Sequence, residues 1–177
     1  MSHRFTIYKS PIGRLTLTGD GGALTELWFP GRGPAHPETD QRPEDFGPAI
    51  EQLAAYFAGE RRAFDLSLRP CGTPFQRRVW AELQRIPYGT TTTYGALAQR
   101  LSDERGEWVS PRAVGAANGA NPISIIVPCH RVIGSDGSLT GYGGGLQRKR
   151  ALLDLEAGNA AGTAFAAGRG HRQISLL

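Results

Sequence analysis

Sulfur is scarce in this sequence: its 177 residues include two cysteines and one methionine. Two thiols exclude a disulfide framework and a cysteine-built zinc cluster, and in a reducing compartment both are free. Long apolar runs are missing too. The best is "ISIIV", against the roughly 20 residues of a membrane helix, so no membrane partner is expected. The N-terminus "MSHRFTIYKS" has no apolar signal segment, and a cytoplasmic location is expected. Lysine is almost absent, with Lys9 and Lys149 alone among the 20 basic residues. The other eighteen are arginines, which suit phosphate and base recognition. They are unevenly placed. Residues 1–70 hold 8 Lys/Arg and 9 Asp/Glu, whereas residues 71–177 hold 12 and 7. A basic half points to a polyanionic partner, although a solvated basic face is the commoner meaning of such a bias.

Three strand-like runs, "RFTIYKS", "RLTLTGD" and "ALTELWF", open the chain between turn signals and predict an antiparallel meander. Residues 30–48 are rich in proline and predict an irregular loop, which holds His36. "AIEQLAAYFAGE" puts Ile50, Leu53, Ala54 and Phe57 on one helical face, and "AFDLSL" alternates like a strand. After "RPCG" the pattern turns helical. Thr73, Pro74 and Gln76 fit N-cap, N1 and N3 of a helix, with Phe75, Val79, Leu83 and Ile86 at helical spacing. A short helix starts near Thr93, "SDERGEWV" reads as a polar linker, and Ser110–Pro111 start another helix. The two helices resemble a helix-turn-helix, but residues 102–110 separate them, and a plain helical hairpin fits as well. Arg112 sits in the first turn of the second helix, where the dipole disfavours a cation; it is aimed at something outside the helix. "SDGS" has hairpin character. "LQRKRALLDLEAG" predicts a last helix ending at glycine, and residues 159–177 a flexible tail.

Cys71, beside a Pro-Gly turn, reads as an ordinary small core residue. Cys129 in "IIVPCHRVIG" is open to three readings: core, metal ligand or nucleophile. A metal needs three or four ligands, and the remaining histidines, His3, His36 and His171, fall in loops or tails. A Cys–His nucleophile is sharper, because histidine can lower a thiol pKa and take its proton. Adjacent strand residues point to opposite faces, so His130 reaches Cys129 only through an irregular backbone or a bridging water. Glu156 shares a stripe with Leu146 and Leu153 in the last helix. It is either a frayed, solvated end or a partly buried carboxylate orienting the histidine.

The segment "NPISIIVPCHRVIGSDGSLTGYGGGLQRKRALLDLE" resembles the active-site segment of the methylated-DNA–protein-cysteine methyltransferases, the O6-alkylguanine-DNA alkyltransferases. "FQRRVWAELQRIPYGTTTTYGALA" and "SPRAVGAANG" match that family's preceding helices. The likeness is close over residues 73–156 and looser before them. It implies an α+β fold, with a small antiparallel sheet and helix over 1–70 (RNase H-like). A mainly helical DNA-binding and alkyl-transfer domain with a helix-turn-helix would follow over 71–158. It implies irreversible, stoichiometric transfer from O6-alkylguanine, and from O4-alkylthymine, in duplex DNA to Cys129. The catalytic set would be Cys129, His130 acting through a water, Glu156 and Tyr94. Arg112 would be the finger that replaces the flipped base, with Tyr94, Ala113 and Asn118 also facing DNA. The substrate pocket would be formed by Tyr142, Gly143, Val132 and Ser124. There the Gly143 N–H would bind guanine O6, and the carbonyls of Cys129 and Val132 its amine. Asn121 would be the hinge before the active-site strand.

The resemblance implies no cofactor. Some relatives bind zinc through N-terminal cysteines, which residues 1–70 lack, so no metal is expected. The chain is expected to be a monomer when free, with several molecules able to line up along DNA. Three rivals remain: a non-catalytic binder of alkylated bases, a DNA-binding regulator with a structural thiol, and a Cys–His hydrolase. The first lacks the cysteine that this motif carries.

Overall fold

Tight turns shape the first sheet. Ser10 Oγ donates to Gly13 O and accepts from the Ile12 N–H, and Gly13 takes φ 117, where a side chain would be strained. These bonds close the link between β1 (Arg4–Ser10) and β2 (Gly13–Gly19), which pair antiparallel from Arg4↔Gly19 to Ser10↔Gly13. Asp20 accepts from the Gly22 and Ala23 N–H groups at the next turn, and β3 (Leu24–Trp28) returns along β2. The sheet order is β1-β2-β3, the predicted meander. The computed structural model describes residues 4–34 and 41–160. His3, His36, His171 and the expected tail from residue 161 onward lie outside the described residues.

Helix α1 (Gly47–Phe57) buries Ala49, Leu53 and Tyr56. Ala54, expected on that face, is exposed; the polar tip of Tyr56 hid its place in the stripe. "AFDLSL" forms no strand. Only Leu68 bridges to Leu24, because the segment meets β3 at its first residue alone, through Leu24 N–H to Ser67 O and Arg69 N–H to Leu24 O. Helix α2 (Pro74–Gln84) carries the predicted capping box, Thr73 and Gln76 each accepting from the other's backbone N–H.

Helix α3 (Tyr94–Arg105) follows the two-residue strand β4 (Thr92–Thr93), with Thr93 as cap. It runs longer than expected. Asp103 accepts from Gln99 one turn back at 2.7 Å, and Gly106 closes the helix in the left-handed conformation at φ 66. The supposed linker 102–110 therefore shrinks to residues 106–110 before α4 (Pro111–Gly119), capped by Ser110. Near "SDGS" the Gly134 and Gly137 N–H groups close a turn without a second strand. The two-residue strand β5 (Val132–Ile133) pairs parallel with β4 instead of forming a hairpin.

Helix α5 (Leu146–Ala160) passes through Gly158, so residues 159 and 160 are helical rather than tail. Its buried face is Lys149, Leu152, Glu156 and Asn159, not the stripe through Leu146 and Leu153. Leu146 is exposed. One hydrophobic core runs from Leu15, Leu17 and Leu27 of the sheet to Val79, Leu97, Val114 and Leu152 of the helices. The Leu27 N–H donates to Pro122 O (2.8 Å), and the Ser124 N–H to Leu27 O (3.1 Å), tying β3 to the segment that leads to Cys129. Among the described residues no helix is long and apolar enough to cross a membrane.

Candidate active site

The β-branched run before Cys129 does not form the expected strand. The Ile126 N–H bonds Ser124 O and the Cys129 N–H bonds Val127 O, two three-residue turns in succession. Pro128, at φ −81 and ψ 62, is the centre of the second. Ile125 takes φ 71, unusual for a β-branched side chain. Asn121 holds this path. Its Nδ2 donates to Val127 O at 2.8 Å and to Ile123 O at 3.4 Å, while its Oδ1 accepts from the Ile123 N–H at 3.0 Å. Cys129, His130 and Arg131 then form one 3-10 turn, all three buried. In a 3-10 turn neighbouring side chains are not forced to opposite faces, which relaxes the geometric objection to a Cys–His pair.

Five hydrogen bonds converge on the fully buried carboxylate of Glu156. His130 Nε2 lies 2.8 Å from Oε1, and Tyr56 Oη donates to the same oxygen at 2.7 Å. Arg131 donates through Nε and Nη2, both at 2.9 Å, and the Gly89 N–H donates at 3.1 Å. Burial by itself raises the carboxyl pKa. The His130 and Arg131 donors outweigh it and hold it at about 2. Glu156 is thus ionised, and its complete burial within a helix that continues to Ala160 excludes a frayed, solvated end.

Burial also lowers the His130 pKa below its usual value, against the pull of Glu156. The imidazole is neutral at pH 7. Its Nε2–H donates to the carboxylate, which leaves Nδ1 with a free lone pair. That atom is buried and makes no hydrogen bond within the protein. Burial raises the Cys129 pKa, and Asn121, Lys149 and Arg32 offset this only in part. The resting group is therefore a thiol, contrary to the expectation of a lowered pKa, and its proton must leave as it reacts.

Around the thiol, Asn118 is buried and its Nδ2 reaches Cys129 O at 3.4 Å. Its side chain faces the thiol turn rather than the outer face of α4, where a DNA contact was expected. Tyr94 Oη donates to Thr140 O at 3.0 Å, and burial raises its pKa, so it keeps its proton. Lys149 is buried, with Nζ 2.6 Å from Val132 O and 2.7 Å from Thr140 O. Burial lowers its pKa to about 8. Val132 O thus keeps a second lone pair for a ligand, whereas Cys129 O already accepts from Asn118 Nδ2 and from the Val132 N–H, so a ligand there displaces the long Asn118 bond. Tyr142 is buried, its ring edge-on to Phe29 at 5.9 Å and its hydroxyl without a protein partner. Gly143 has the Arg32 guanidinium where a Cβ would stand. Ser124 is buried, held through its backbone to Leu27. At the outer end of α4, Arg112 is exposed beside the half-buried Ala113. Cys71 is exposed, not core, and no metal-binding cluster occurs among the described residues.

Sequence reasoning missed Tyr56, Gly89, Arg131 and Lys149. Arg131 stands inside "PCHRV", and Lys149 is one of two lysines in an arginine-rich chain; both were visible as anomalies. Nothing in the sequence marked Tyr56 or Gly89.

Residues 74–158 match the family model described as "6-O-methylguanine DNA methyltransferase, DNA binding domain". Residues 3–70 match that described as "6-O-methylguanine DNA methyltransferase, ribonuclease-like domain". The chain belongs to the 6-O-methylguanine DNA methyltransferase family. The methylated-DNA–protein-cysteine methyltransferase of Mycobacterium bovis is 54% identical over 162 residues, spanning 88% of this chain and 93% of that protein. The protein of that name from Methanosarcina acetivorans is 47% identical over 156 residues, 86% and 97% of the two chains. The solved structure of Mycobacterium tuberculosis OGT in complex with DNA superposes with a TM-score of 0.79. It has 51% identity and covers 88% of this chain and 94% of that one. Within the 6-O-methylguanine DNA methyltransferase family this chain is a DNA-binding enzyme of alkyl-transfer repair, of the methylated-DNA–protein-cysteine methyltransferase class.

Proposed function

We propose that this protein repairs duplex DNA by moving the alkyl group of O6-alkylguanine onto Cys129 Sγ, once per molecule and irreversibly. The observation that carries the reading is the neutral His130, locked by Glu156 so that its buried Nδ1 is left as a base in the same turn as Cys129. The lesion is inaccessible in the stack, so the nucleotide rotates out, and Arg112, on the exposed first turn of α4, fills the gap. His130 Nδ1 takes the Sγ proton through a water. The sulfur lone pair attacks the alkyl carbon, the carbon–O6 bond breaks, and its electron pair stays on guanine, which then gains a proton. Tyr94 turns its single hydroxyl proton from Thr140 O to N3, and the Gly143 N–H donates to O6, where negative charge develops. Tyr142 walls the pocket, Ser124 lies in its floor, and the carbonyls of Cys129 and Val132 receive the exocyclic amine. Asn121 holds the turn in register. The product is a buried thioether, and the other cysteine, Cys71, is exposed.

Domain limits of 1–70 and 71–158, and a monomer in free solution, complete the reading. Strongly exposed large apolar side chains among the described residues are Trp108 and Leu146, too few for a permanent dimer face. A known amount of protein is titrated with excess duplex carrying labelled O6-methylguanine. Label on Cys129 with a plateau at one equivalent is expected, with none in Cys129→Ser; transfer beyond one equivalent would reject the stoichiometric mechanism. A competing O4-methylthymine duplex tests the second substrate in the same assay.

A further inference from the structure

The loop between α3 and α4 holds a side chain that the site does not use. Trp108 is 83% exposed. Its backbone is nonetheless pinned on both sides. The Glu107 N–H donates to Ser102 O (3.2 Å), the Val109 N–H to Ser102 Oγ (2.9 Å), and Val109 packs against the core. The indole is therefore held out in water by an ordered loop. A tryptophan offers about 150–250 Å² for burial, and here that surface is left for a partner.

The surrounding charge says which partner. The first turns of α2 and the end of α3 leave a groove lined by Phe75, Arg77, Arg78, Arg105 and Glu107. Arg105 and Arg112 are exposed and make no ion pair among the described residues. Of the nearby carboxylates, Glu104 is paired with Arg78, while Asp103, bonded to the neutral Gln99, and Glu107 keep their charge against Arg77, Arg105 and Arg112. The loop leads directly along the chain into the first turn of α4, inside the stretch that matches the family's DNA-binding domain. We propose that this loop and groove extend the duplex interface beyond the flipped base. The Trp108 indole packs on the sugar–phosphate backbone flanking the lesion, and Arg105 and Arg77 contact its phosphates. The inference rests on the repair reading above.

The test uses the full chain carrying Cys129→Ser, so that complexes persist, with Trp108→Ala, Trp108→Phe or Arg105→Ala added. Binding to a duplex containing O6-methylguanine is measured by anisotropy over a range of salt. Trp108→Ala is expected to weaken binding roughly fivefold, by analogy with aromatic contacts to nucleic acid, without changing the salt slope. Trp108→Phe restores most of the affinity. Arg105→Ala is expected to lower the slope by about one. In the parent chain Trp80 is buried and Trp28 half-buried, so a blue shift on adding duplex that is lost in Trp108→Phe reports the exposed indole. Unchanged affinity in Trp108→Ala overturns the proposal, as does a dimer in sedimentation that the same substitution dissolves. Alkyl transfer by the unsubstituted chain is run alongside. If that transfer is absent, the repair reading has failed; if it is normal while the variants bind like the parent, this inference alone has failed.

Discussion

Glu156→Gln tests the carboxylate at the centre of the site. The substitution keeps the shape of the side chain and removes its charge. Five donors now converge on the carboxylate, and an amide, which brings two N–H donors of its own, cannot accept them all. Arg131 would be left buried without its counter-charge. Breaking a buried pair in this way costs about 3–5 kcal/mol, a large share of the roughly 5–15 kcal/mol that holds a domain folded. The pKa gives an independent figure. A carboxyl held at about 2 in the fold, against 4.5 as its ordinary value, contributes about 3 kcal/mol. Because the folded pKa is the lower one, that contribution is complete above pH 4.5 and is lost as pH falls toward 2. Urea unfolding at neutral pH should therefore show a large drop in stability for the variant. The gap between variant and parent should narrow as the pH falls below 4.5. A loss under about 1 kcal/mol, or a gap that stays constant with pH, would mean that the carboxylate is solvated and that the reasoning about the site is wrong.

Arg112→Ala should slow repair of duplex substrate far more than reaction with free O6-alkylguanine, since a free base has nothing to unstack; equal losses in second-order rate would remove the finger role. The His130 pKa lies below its usual 6.5, so the acid limb of the transfer rate with the free base should fall below pH 6.5, and a limb above pH 7 would deny His130 the role of base. Methylated Cys129 adds a methyl to a closely packed turn, a change of about 1–3 kcal/mol, and calorimetry should find the alkylated protein melting several degrees below the free form; an unchanged midpoint would show slack around the sulfur.

Local signals carried much of the fold. The meander, the capping box at Thr73 and the Ser110–Pro111 helix start were all legible, because each depends on a few adjacent residues. The errors came where tertiary contacts overrode pattern. "ISIIV" has the composition of a strand, but Asn121 and Pro128 bend it into turns. The end of α3 looked like a linker because an exposed polar helical turn and a polar loop have the same composition. Glu156 was singled out through the wrong stripe, and its burial depends on Tyr56 and Arg131, which are distant in sequence. The Cys129–His130 pair was legible as chemistry, and the third member gained its meaning only from the fold.

The shared core has a consequence for the fate of the spent protein. Glu156, on the last helix, is held by Tyr56 of the N-terminal region as well as by the thiol turn, and β3 is bonded to the segment leading to Cys129. Strain at one sulfur atom is therefore not absorbed in a single loop. The same contacts tie it to the sheet and the helices, and the two regions are expected to melt together, as a single calorimetric transition. A protease samples the open population, which rises about tenfold for each 1.4 kcal/mol lost. The predicted loss of stability on alkylation of Cys129 would therefore show as faster proteolysis of the alkylated form, through its own folding equilibrium and without a separate tag.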